Sequence, residues 1–69
     1  MYEITVEDEH GTVLNVFQYQ SRNEAIRIAK EAARHEQGRA VVSSENVIDR
    51  EFKFEDGRVN TYDDEGTQL

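Results

Sequence analysis

Cysteine, proline and tryptophan are absent from this 69-residue chain, and cations are scarce: eight Lys and Arg face fifteen Asp and Glu, a formal charge of -7. Without cysteine there are no disulfides, no thiol chemistry, no iron–sulfur clusters and no thiolate zinc site. Zero proline and only four glycines exclude a collagen-like chain or a proline-rich linker. The shortage of cations opposes direct contact with nucleic acid or anionic membranes and favours a partner with a basic surface. Apolar runs are short, Val13-Leu14 and Val41-Val42 being typical. A membrane span needs about 20 such residues and a signal peptide roughly 7–15, so the expectation is a cytoplasmic chain with no membrane partner. At 8.0 kDa there is room for one small core and none for a large enclosed active site.

What is present reads as strands around one helix. Tyr2, Ile4 and Val6 alternate with Glu3, Thr5 and Glu7, the period of a strand with one dry face. Asp8-Glu9-His10-Gly11 reads as a turn with Gly11 left-handed, closing a three-residue loop before the return strand from Thr12. If Asp8 faces Thr12, Val6 comes opposite Leu14 and Ile4 opposite Val16, which leaves Val13, Phe17 and Tyr19 on the other face unless a bulge reassigns them. Ser21-Arg22-Asn23-Glu24 is a capping box. Beyond it, at 100° per residue, Ala25, Ile26, Ile28, Ala29, Ala32 and Ala33 fall within an arc of about 160°, with Arg27, Lys30, Glu31 and Arg34 opposite. An alanine-rich stripe lets a helix approach a sheet closely. Gly38 is expected to end it.

Arg39–Ser43 predicts a third strand, Ser44-Glu45-Asn46 a turn, and Ile48–Glu55 a fourth strand anchored by Phe52 and Phe54. Asp56-Gly57 is a strong hairpin signal, pairing Phe54 with Val59 and Glu55 with Arg58. The order ββαβββ predicts an α+β fold: one antiparallel sheet with a single amphipathic helix packed on one face. Residues 1–62 form the expected compact domain, and 63–69, Asp-Asp-Glu-Gly-Thr-Gln-Leu, a flexible acidic tail with too little apolar surface to offset ordering.

The stretch Ser21-Arg-Asn-Glu-Ala-Ile-Arg-Ile-Ala-Lys-Glu-Ala, a following valine strand and Phe-x-x-Gly-Arg near the C-terminus resemble small bacterial and archaeal domains of unknown function built from a hairpin, one helix and a second hairpin. The resemblance spans roughly residues 2–60 and implies no activity, cofactor or catalytic residue; the acidic end is a departure from that pattern.

No catalytic site is expected. His10 lies in a turn and His35 in the last helical turn, without metal-pair spacing, and a metal site needs about three or four convergent ligands. The carboxylate clusters sit in loops, where they stay ionised, and no serine has a histidine near it. The glycines form no phosphate loop, so no cofactor is expected. Charge is segregated instead. Residues 1–21 carry four acids and no base, and 40–69 carry eight acids and three bases. Glu3, Glu7, Asp49, Glu51 and Glu55 are expected on the sheet face away from the helix, where carboxylates at i and i+2 on a strand stand about 7 Å apart, a spacing that meets successive basic side chains of a nucleic-acid-binding surface. With Asp56, and with Phe17, Tyr19 and Tyr62 as an apolar contact core, they make up a candidate protein-binding surface. The implied strategy is that of DNA-mimic inhibitors of the anti-restriction and anti-CRISPR kind, occluding a basic groove. Three other readings stand beside it: an acidic face that only solubilises, an ordinary protein-interaction module in another pathway, and a homodimer that pairs open sheet edges, with Arg39–Ser43 as the exposed strand, or buries the aromatic outer face.

Overall fold

The computed structural model describes residues 1–69. Along the chain lie β1 (Tyr2–Glu7), β2 (Val13–Tyr19), α1 (Arg22–Glu36), β3 (Arg39–Ser44), β4 (Val47–Glu55) and β5 (Arg58–Tyr62). The strands form one antiparallel sheet in the order β2-β1-β3-β4-β5, with α1 packed on one face. This is the ββαβββ fold of the sequence reading. The helix carries the chain from edge strand β2 past β1, so β3 is central and is not the exposed edge that was expected. No helix is long and apolar enough to cross a membrane.

Ser21 caps α1, its hydroxyl accepting the Glu24 N–H at 3.3 Å. Ala25, Ala29 and Ala33 are fully buried against Ile4, Val6, Ala40, Val42 and Phe52, while Ile26, Ile28 and Ala32 seal the sides. Small side chains at the contact let the helix lie close to the sheet. At the C-terminus it is Gln37, at φ 52°, that turns left-handed. Gly38 serves a different purpose: a Cβ there would stand 2.1 Å from the Glu7 carbonyl oxygen. The chain must cross the end of β1 at that point, and only glycine is thin enough. Phe52 is buried, whereas Phe54 is half-buried at the sheet end.

Two bulges set the register. Val6 pairs with Asn15 and Glu7 with Val13, so Leu14 is the extra residue and Ile4 meets Phe17 rather than Val16. Phe17 and Tyr19 therefore share the helix side with Ile4 and Tyr2, which corrects their expected place on the open face. On β4, Val42 pairs with Arg50 and Ser43 with Ile48, leaving Asp49 as the extra residue. Glu45-Asn46 (φ 53° and 65°) and Asp56-Gly57 (φ 53° and 80°) make two-residue turns with both central residues left-handed, the hand that matches strand twist.

Residues 63–69 fold back along β5. The Asp63 carboxylate accepts the Glu65 and Thr67 N–H groups at 2.9 and 2.8 Å. Gln68 bridges Tyr62, and the Leu69 N–H donates to the Thr61 carbonyl at 2.8 Å. Backbone pairing supplies what the segment lacks in apolar surface.

Candidate protein-binding surface

Pairing fixes what the open face carries. One row across the sheet reads Val16, Thr5, Val41, Glu51, Tyr62, and the next reads Val13, Glu7, Arg39, Lys53, Asn60. Glu3 lies between Gln18 and Ser43, and Glu55 faces Arg58 at the end.

Of the carboxylates expected to act there, most are held by the chain's own groups. Arg39 donates from Nη1 to Glu7 at 2.8 Å and from Nε to Glu51, bridging β1, β3 and β4. Burial works against the Arg39 charge, but its bonds to Glu51 and Glu7 outweigh this and raise its pKa. Glu55 accepts the Tyr62 hydroxyl at 2.5 Å and Asn60 Nδ2 at 3.1 Å. The Tyr62 bond chiefly, and Asn60 next, hold the Glu55 carboxyl below its usual range, and the same bond pushes the Tyr62 hydroxyl up. Lys53 Nζ stands 5.1 Å from the centre of the Tyr62 ring. Val41, at the middle of the face, is only 9% exposed beside the Arg39–Glu51 pair. Four acids, Glu3, Glu7, Glu51 and Glu55, thus meet three cations, Arg39, Lys53 and Arg58, on this face.

Asp49 is elsewhere. Its bulge turns it to the start of α1, where Arg22 grips both oxygens, Nε to Oδ2 at 2.7 Å and Nη2 to Oδ1 at 2.9 Å. That bidentate contact holds the Asp49 carboxyl below its usual range and raises Arg22. Together with the new places of Phe17 and Tyr19, this means the open sheet face is not the acidic, aromatic-centred surface the alternation implied. Arg39 and Lys53 were not singled out, because their pairing depends on β3 lying beside β1, which strand periodicity does not reveal.

Most of the remaining negative charge lies in turns. Among the fifteen acids, only Glu7, Glu31, Asp49 and Glu51 have a Lys or Arg partner within 4 Å, leaving eleven without one. At one end of the sheet the β1–β2 turn, the end of β4 and the segment just after α1 surround an open cleft of about 430 Å³. Glu7, Asp8, Glu9 and Glu55 line it together with Arg39 and Lys53, which share a row with Glu7. Asp56 stands exposed at the tip of the neighbouring turn. Asp8 takes the Thr12 and His10 N–H groups on one oxygen, each at 2.9 Å, and its carboxyl is held low chiefly by Thr12. Glu9 meets only His10, at 3.5 Å. The negative pole of the helix dipole points to the same end. His35 pairs with its neighbour Glu36 at 3.2 Å. The chain matches no protein-family model, no curated protein and no solved structure.

Proposed function

We propose that this chain is a non-catalytic protein-binding module that docks on a basic protein surface, of the kind that holds a nucleic-acid backbone, and occludes it. The contact is the acidic end of the sheet, in place of its open face. One observation supports this reading above others. Glu9 and Asp56 stand without a Lys or Arg partner beside a cleft that Asp8 and Glu55 also line, whereas Glu7 and Glu51 are held by Arg39, which forms the cleft's basic wall with Lys53. Unpaired carboxylates over a helix C-terminus project a field that steers a basic surface and receives its side chains.

The test is capture of partners on the immobilised chain at about 50 mM and about 200 mM salt, followed by competition of the captured protein with duplex DNA. A partner that is lost at higher salt, displaced by DNA, and not held by the double variant Glu9→Lys with Asp56→Asn supports the reading. Those positions are chosen because neither side chain holds a strand in place, and asparagine keeps the left-handed turn at φ 53°. Capture that ignores both salt and the charge change, or that coexists with bound DNA, overturns it.

A further inference from the structure

The two edges of the sheet are built differently. At β5 the chain covers the Thr61–Tyr62 end of its own edge with residues 67–69. At β2 the edge is open, and residues 11–21, Gly-Thr-Val-Leu-Asn-Val-Phe-Gln-Tyr-Gln-Ser, carry no charge in a chain that is 33% Asp, Glu, Lys and Arg. Val13, Leu14 and Val16 are about half exposed and Phe17 is 37% exposed. Monomeric proteins blunt such edges with lysine, proline, inward charges, bulges or very short strands; β2 is seven residues long and has only the bulge at Leu14, near one end. On the helix side of the same edge a groove of about 370 Å³ opens between β2 and α1, walled by Leu14, Phe17, Ile28 and Ala32 and rimmed by Arg27, Glu31, His35 and Glu36.

We propose that β2 is the seam of a two-fold dimer, in which a second copy of this chain adds its own β2 antiparallel and the two sheets become one of ten strands. Charge selects this occupant. A basic peptide would be met by carboxylates along the strand, and residues 11–21 have none; the nearest acids, Glu31 and Glu36, lie across the groove on α1. A second copy brings another -7, and a seam between two such bodies has to be bare of charge. The two-fold axis runs perpendicular to the sheet, so helix face continues into helix face and the two grooves lie side by side. The helices then run antiparallel, and each rim offers the other one cation, Arg27, and two acids, Glu31 and Glu36. A stable dimer needs on the order of 800 Å² from each partner, about a sixth of the 4592 Å² surface. Seven residues of strand, about 24 Å long, supply only part of that, so the groove walls belong to the interface.

Full overlap of the two strands centres the axis on Val16, which then faces the Val16 of the other copy. Its side chain is 52% exposed on the sheet side away from the helix, and so tolerates charge in the monomer. Like charges directly opposite across a strand pair repel, and opposite charges attract. Sedimentation equilibrium tests the proposal. The wild type rises from 8.0 kDa toward twice that mass with concentration. Val16→Lys and Val16→Glu each hold the monomer mass over the same range, and their equimolar mixture regains the doubled mass. A wild type that stays at 8.0 kDa into the millimolar range overturns the proposal whatever the variants do, and leaves the edge to an extended foreign peptide. Variants that dimerise as the wild type does, or a mixture that stays monomeric, overturn it too.

Discussion

Asp49 changes sides because of one extra residue. In strict alternation it falls with Glu51, Lys53 and Glu55 on the open face; the bulge opposite Val42 and Ser43 instead turns it toward α1 and its contact with Arg22. That contact has a pH signature whose sign follows from the depressed Asp49 carboxyl. The unfolded chain ionises it near 3.8, so the stabilisation is complete above that pH and fades as pH falls through the lower folded value. Asp49→Asn removes the same contribution at every pH. Its urea midpoint is therefore expected below that of the wild type at pH 7, with the two converging as pH drops below about 4. The shift is small, because the Arg22 side chain is 41% exposed and water screens the pair. A gap that persists undiminished in strong acid would assign the loss to side-chain packing. Glu55 titrates in the same acid window in both proteins, so the comparison isolates Asp49.

At the scale of elements, all five strands, the helix with its Ser21 cap and alanine stripe, and the Asp56-Gly57 hairpin could be read from periodicity and turn chemistry. Registers could not. Leu14 has the chemistry of a paired strand residue, and nothing local marks it as extra. Its exclusion puts Phe17 and Tyr19 opposite Ile4 and Tyr2 on the helix side, where Tyr19 packs against the core and Phe17 stays 37% exposed. The order β2-β1-β3 is likewise a tertiary outcome, and with it went the neutralising role of Arg39. The end of the chain was legible, by a signal other than hydrophobicity. Asp8-Glu9-His10-Gly11-Thr12 and Asp63-Asp64-Glu65-Gly66-Thr67 share the pattern Asp-x-x-Gly-Thr, and they fold alike. In each, the Asp carboxylate takes the N–H groups two and four residues on, the Gly N–H donates to the Asp carbonyl, and the Asp N–H donates to the Thr carbonyl. The turn chemistry that makes the first hairpin thus folds 63–69 onto β5 with almost no apolar help. Asp63→Ala is expected to speed amide exchange at Glu65, Thr67 and Leu69 while leaving His10 and Thr12 unchanged. Protection that survives the substitution would show that backbone pairing alone holds the segment.

For the whole molecule the governing quantity is a charge of -7 on a body of 30 × 24 × 18 Å. The screening length is about 30 Å at 0.01 M salt and about 8 Å at 0.15 M. In dilute buffer, then, acids at opposite ends of the sheet repel one another; at physiological strength they do not. The paired acids Glu7 and Glu51 are largely shielded, at 19% and 14% side-chain exposure, and salt weakens their hold on Arg39 less than it relieves the exposed turns. The thermal midpoint at pH 7 is therefore expected to rise between about 0.01 M and about 0.15 M salt, and this rise is expected to vanish near pH 4.6, where the net charge is zero. A midpoint that falls with salt at pH 7 would mean that the ion pairs outweigh the repulsion. The same reasoning separates the two proposed surfaces. Docking of the acidic end on a basic partner weakens as salt rises, although the fold itself becomes more stable, so such a loss is not unfolding. Pairing of two -7 bodies along β2 strengthens over the same range, because salt removes the repulsion and leaves the uncharged seam intact.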